Sequence, residues 1–239
     1  MRSIVPVLIF FLILAAACSK KETPVYVQCH PLMPSPHKIT EETRYTGIDT
    51  VFAYRNQFFY DASGRLTLEL TTQDGHTDTS AWYEYQSGKI KTRGADIILN
   101  DQGLAVSSNA GIIFTWTYSP EGYMTKQVYE YQGGTMTDTY TYVCYNQSRI
   151  VRLTQTSISS KYDTTGNIYY TDKANTIGNE NHGIYFDGKQ SNALIKTITR
   201  TNQPSLNLTY VFDGMNRVQW ETTRDSLGHV SYRKFTYLP

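Results

Sequence analysis

The residue whose surroundings best specify a reaction is Cys18, a thiol preceded by Leu14, Ala15, Ala16 and Ala17. A thiolate is the nucleophile that alkylation requires, and three small residues before it leave a peptidase cleft room to cut the chain there. Other chemistry is sparse. The five histidines (His30, His37, His76, His182 and His229) stand apart, and none has the spacing that holds a zinc ion. There is no GxSxG, HExxH or Gly-rich phosphate loop. The acids gather in short polar stretches, where a carboxylate stabilises a turn, rather than as the facing pair that glycoside hydrolysis needs. The chain therefore reads as non-enzymatic, with no cofactor and no metal.

Residues upstream of Cys18 explain its chemistry. Met1 and Arg2 give a short basic start, and Ile4 to Ala17 are apolar apart from Pro6. Such a run is too short to span a membrane as a stable helix and fits the core of a cleavable export signal. The junction resembles the lipobox of bacterial lipoproteins, with Leu14 one position earlier than usual. That resemblance implies a diacylglycerol on Cys18 and cleavage before it. The expected organisation is a signal peptide with its helix at 1–17, a lipidated tether at 18–36 and an antiparallel β domain at 37–239. Acyl chains on one cysteine suffice for stable membrane attachment. Ser19, where an aspartate would retain the protein in the inner membrane, implies the outer membrane. Lys20, Lys21 and Glu22 resemble the charged stretch that sends some lipoproteins to the cell surface, so both the surface and the periplasmic face stay open.

Composition narrows the partners. The chain has 22 basic and 21 acidic residues, so no basic field exists to hold nucleic acid. Its 20 tyrosines and many threonines favour strands. Besides Cys18 there are only Cys29 and Cys144; export would permit a bridge between them, and the sequence leaves that open.

A loose unit organises the rest: aromatic, any residue, aromatic, then Asp or Ser, two residues, and Gly or Asn before a returning apolar residue. Phe58 to Leu66, Trp116 to Met124 and Tyr210 to Val218 are the clearest copies. Asp61, Ala62, Ser63, Gly64 reads as a three-residue hairpin loop with Gly64 in the left-handed conformation. This register sets Tyr60 against Leu66, Phe58 against Leu68, Tyr118 against Met124 and Phe212 against Val218. Asp74 and Gly75 read as a tight turn that aligns Leu66 with Tyr83. A two-residue loop at Leu227 and Gly228 sets Trp220 against Phe235. The expected fold is all-β: an antiparallel meander of roughly ten to fourteen strands, forming one curled or barrel-like sheet. Asp172 to Asn192, rich in Asn and Gly, reads as a long irregular connection, either a crossover closing that sheet or a functional loop.

The units resemble degenerate YD repeats, as in Phe59, Tyr60, Asp61, Ala62, Ser63, Gly64, Arg65, Leu66. Together with Lys38, Ile39, Thr40 and Gly188 to Leu194, they are similar to a family of Bacteroidetes lipoproteins with a domain of unknown function and a porin-like fold. The resemblance implies a curled or closed antiparallel sheet and supplies no catalytic residues. A membrane-spanning barrel is not expected, because the second face would carry Thr67, Glu69, Thr71, Glu84, Thr115, Thr117, Gln219 and Glu221. The expected protein is soluble apart from its anchor. Its expected role is a binding module for a glycan or a protein, with Trp82, turned away from Tyr83 and Tyr85, as a stacking residue. The alternative is an envelope carrier or assembly factor with an apolar cavity.

Overall fold

The computed structural model describes residues 37–239 except 48, 133, 146 and 157–161, with the backbone alone at 141–145, 147–156, 162–164, 170 and 171. The expected signal helix and tether, with Cys18 and Cys29, lie outside the described residues, and so does the side chain of Cys144.

The described residues form sixteen strands. They begin with β1 (Ile39–Thr46), β2 (Val51–Tyr60), β3 (Leu66–Gln73) and β4 (His76–Gln86). Four short ones follow, β5 (Lys89–Thr92), β6 (Asp96–Leu99), β7 (Ala105–Asn109) and β8 (Ile113–Tyr118). Then come β9 (Met124–Tyr131), β10 (Gly134–Tyr145), β11 (Gln147–Thr156) and β12 (Tyr162–Ala174), and finally β13 (Ala193–Arg200), β14 (Gln203–Phe212), β15 (Val218–Asp225) and β16 (Val230–Tyr237). Each pairs antiparallel with the next, and β1 pairs with β16, closing a barrel. The strands beyond the expected number come from β5 to β8, which are four to six residues long. Runs so short hold too few residues for alternation to show.

One turn design recurs at the end of the barrel where β1 begins and β16 ends. Asp61 Oδ1 accepts hydrogen bonds from the Ser63 and Arg65 N–H groups at 2.9 and 3.0 Å, and its other oxygen accepts from Arg65 Nε at 2.7 Å. Asp213 repeats this with Met215 and Arg217, and Asn100 accepts from Gln102 and Leu104. At the opposite end Asp225 does the same with Leu227 and His229. The Leu227, Gly228 loop is therefore a further copy of the longer unit, with Gly228 at positive φ. It sets Trp220 against Lys234 and Glu221 against Arg233, correcting the expected Trp220–Phe235 pairing.

A second regularity has no sequence signature. At the end of the barrel where β1 begins, one residue is skipped after the first pair of such a hairpin: Tyr60 opposes Leu66 but Phe59 opposes Leu68, Tyr118 opposes Met124 but Thr117 opposes Lys126, and Phe212 opposes Val218 but Val211 opposes Trp220. These β-bulges turn over the faces of the residues beyond them. Phe58 consequently opposes Glu69 rather than Leu68. A further slip skips Ser80, so that Leu68 opposes Trp82 and the expected Leu66–Tyr83 alignment is lost. Glu69, Thr71 and Glu221, expected on the outside, face the lumen instead.

Closing sixteen strands leaves a lumen that wall side chains alone cannot fill, and residues 175–192 enter it. This segment is no crossover, since Ala174 and Ala193 pair directly across its base and Asn175 N–H donates to Asn192 O at 2.8 Å. Its backbone is stitched around the wall. Ile39 N–H donates to Asn181 O at 3.0 Å, Leu66 N–H to Gly183 O at 3.1 Å, and Lys189 N–H to Gly122 O at 2.9 Å. Val218 N–H donates to Thr176 Oγ1 at 2.9 Å. Apolar side chains fill the space between. Ile39, Phe58, Leu66, Leu194, Val218, Phe235 and Tyr237 form one cluster against Ile177 and Ile184. Ile90, Ala105 and Phe186 form a second that also touches Ile184. The core thus sits at the plugged end.

The outer wall does not suit lipid. Glu41, Arg55, Glu84, Lys91, Lys126 and Lys234 point outward by register, and β5 to β8 are shorter than the nine to eleven residues or so that a tilted spanning strand needs.

Two glycines fit the plug to the wall. A Cβ on Gly183 would lie 2.8 Å from Gly64 O and Leu66 N, and one on Gly188 would lie 2.7 Å from Gly122 O; both have positive φ. Gly183→Ala and Gly188→Ala are each expected to lower stability by about 3 kcal/mol, from left-handed strain plus displacement of backbone. Gly75→Ala, with positive φ but open space around it, should cost about 1 kcal/mol. Urea unfolding of the three variants checks this, and equal losses would remove the plug contact as the cause.

Candidate functional site

Above the apolar floor the lumen is charged. Glu42, only 5% exposed, is presented inward by β1 opposite Asn56 and Phe235. Arg44, two residues on and therefore on the same face, donates from Nε to Glu42 Oε1 at 2.9 Å. From β16, Arg233 forms a two-pronged pair with Glu221 at 2.8 and 2.7 Å and lies 3.7 Å from Glu42. The plug contributes His182, whose Nδ1 donates to Gly178 O at 3.1 Å and whose Nε2 stands 3.8 Å from Glu42 Oε2. The ring meets Phe58 edge-on, centroids 5.1 Å apart. Burial pushes the Glu42 carboxyl up, but His182, Arg233 and Arg44 outweigh it and hold the pKa at about 2. Arg233 is held above its ordinary range by Glu221 and Glu42 against its own burial. A planar guanidinium bridging two carboxylates suits a rigid joint, and this network fixes β1, β15, β16 and the plug to one another.

A groove of about 380 Å³ opens where the wall is lowest, between β4, the β5–β6 turn and the plug. Ala81, Tyr83, Thr92 and Ile97 line it from the wall, and Ile184, Phe186 and Asp187 from the plug. Tyr83 and Phe186 present tilted rings with centroids 5.8 Å apart. Asp187 closes the 3₁₀ turn Tyr185–Asp187, and burial alone raises its pKa from 3.8 to about 6. Burial also pushes the Tyr83 phenol to about 12, with Glu69 and Asp187 adding to the effect. Glu69, on the lumen face, is raised by burial and by Glu42, with His182 opposing. Such an arrangement can accept hydrogen bonds and positive charge against an aromatic wall; it contains no activated nucleophile.

Trp82 lies on the outward face of β4 beside Leu68, whose other neighbour is the exposed Phe59. It is half-buried and is one of the residues bordering the groove. Cys18 is outside the described residues. Asp187 and the Glu42 network were not expected from sequence: Asp187 reads as one more acid in an Asn- and Gly-rich loop, and Glu42 meets Arg233 only through the closing seam. Among the described residues no group of three or more His, Cys, Asp or Glu could hold a metal ion.

Solved structures with a similar fold are described as porin-like proteins. This chain is similar to a porin-like protein from Bacteroides uniformis, with a TM-score of 0.60 and 15% identity over 84% of this chain and 96% of that one. It is also similar to a porin-like protein from Bacteroides vulgatus, with a TM-score of 0.57 and 12% identity over 85% and 99%. Identities this low establish the fold alone. No protein-family model and no curated protein matches the sequence.

The two unusual carboxyls predict opposite pH behaviour. Glu42 titrates lower in the folded chain than its ordinary 4.5, so its contribution is full above that value and is lost as pH falls towards 2. Glu42→Gln should cost about 3 kcal/mol at pH 7 and progressively less below pH 4.5. Asp187 titrates higher when folded, so it favours folding below pH 3.8 and that advantage is lost as pH rises through 6. Asp187→Asn should therefore stabilise the protein by about 2 kcal/mol at pH 8 and change little at pH 3.5. Denaturant titrations at these pH values check both signs; destabilisation by Asp187→Asn at pH 8 would contradict the second.

Proposed function

We propose that this chain is a lipid-anchored protein of the cell envelope that binds a ligand through the open end of its barrel without catalysing a reaction on it. The observation that carries the reading is the blind lumen. Hydrogen bonds from residues 175–192 reach β1, β3, β15 and the β8–β9 turn across one end, so a solute entering from the other end meets a floor. A conducting pore needs passage through both ends. A carrier of apolar cargo needs greasy space, which here is occupied by Ile177, Ile184 and Phe186.

The anchor adds an orientation. Asn181 Nδ2 donates to His37 O at 2.9 Å, so the chain enters the barrel beside the plug, and a diacylglycerol on Cys18 would hold the plugged end towards the membrane with the mouth facing away. A surface with its mouth outward suits a glycan or protein ligand, for which Trp82 at the groove's border offers a stacking face. The porin-like neighbours from Bacteroides favour an envelope setting, and the junction at Cys18 favours the outer membrane, on its surface or its periplasmic face.

Metabolic labelling with an alkyne fatty acid should mark the wild-type chain and leave Cys18→Ala unmarked. The full chain added to planar bilayers should give no conductance steps. Regular steps would overturn the blind-barrel reading, and an unlabelled wild type in a lipidating host would overturn the anchor.

A further inference from the structure

The groove between β4, the β5–β6 turn and the plug presents two half-buried polar groups, Asp187 and Tyr83. Neither the Asp187 carboxylate nor the Tyr83 hydroxyl makes a hydrogen bond to another described residue, whereas neighbouring Tyr85 is satisfied, donating to Leu66 O at 2.9 Å. Asp187 and Tyr83 are both half-buried, and a carboxylate partly withdrawn from water against aromatic rings is stabilised by a group that supplies the opposite charge.

The charged groups nearby do not supply it. Arg93 borders the groove but donates from Nη1 to Thr79 O at 3.1 Å. Arg65 is paired with Asp61 at 2.7 Å and lies over the Tyr85 ring, 4.3 Å from its centroid. Glu69, on the other side of Tyr83, adds negative charge. No cation counters burial at Asp187, which is why its carboxyl titrates high.

We propose that this groove binds an organic ammonium group, its charge against Asp187 and its N–H or C–H groups over the Tyr83 and Phe186 rings. Aromatic faces beside one unpaired carboxylate are the chemistry that recognises such cations. A volume of about 380 Å³ admits a single sugar ring or a short aliphatic amine. The inference rests on the binding-module reading above and names the chemical class of its ligand. An amino sugar, an alkyl diamine and a lysine side chain share the recognised group, and the test separates them.

The test is calorimetry on the full chain with glucosamine, N-acetylglucosamine, pentane-1,5-diamine and a lysine-containing tripeptide. At pH 7.5 at least one ammonium probe should bind at least about tenfold more tightly than N-acetylglucosamine, the same ring without the charge. Asp187→Asn should remove that advantage, and since this variant is expected to be more stable at pH 8, the loss would not reflect misfolding. Binding should weaken as pH falls below 6 and Asp187 takes up a proton. Equal affinity for glucosamine and its N-acetyl form, no binding by any ammonium probe, or undiminished binding by Asp187→Asn would overturn the proposal. A ligand retained at the mouth by Asp187→Asn would leave the general binding reading intact while removing this one.

Discussion

Everything in this structure follows from the mismatch between the width of a sixteen-strand closure and the reach of side chains. About eight strands make a barrel whose own residues fill it; doubling that number leaves a space that must hold water or further chain. Here it holds residues 175–192, and because the plug brings polar backbone into an enclosed place, its carbonyls and N–H groups must find partners. They find them in the wall at β1, β3, β15 and the β8–β9 turn. Glycines at 183 and 188 allow that approach, where any Cβ would meet backbone. The apolar side chains between these points form the core, and the Glu42 network lies above it.

The hairpins were legible because their chemistry is local. Asp61 and Asp213 accept hydrogen bonds from residues two and four places on, and a left-handed Gly64 or Asn216 completes the turn. The register beyond them was not legible. A bulge at Thr67, Thr125 or Gln219 depends on how two twisted strands leave the turn, and those residues are ordinary strand formers. The consequence is large, since one skipped residue moves Glu69 and Glu221 from water into the lumen. Glu84, Lys91 and Lys126 keep their outward positions.

The candidate site was less legible than the fold. Trp82 stood out because it is large and falls opposite Tyr83 and Tyr85 in the alternation, and it does border the groove. Asp187 carried no signal, because its significance comes from Phe186 and Tyr83 being brought beside it by a segment that reads as irregular. Glu42 and Arg233 meet only because β1 and β16 close the sheet, a pairing that no local pattern announces.

That seam sets the order of assembly. Ile39, wholly buried, opposes Tyr237, so the first strand cannot be completed until the last has been delivered. Two of the contacts that seat the plug, at Thr176 and Asn181, are made to β15 and β1. As the chain is made, β1 would emerge with one edge unpaired and stay so until the last strand followed, and exposed edges of that kind recruit other chains. Barrel closure must therefore be a late, non-local event, slow by the topology of its contacts. A chain of this design needs either a holding partner or a short wait.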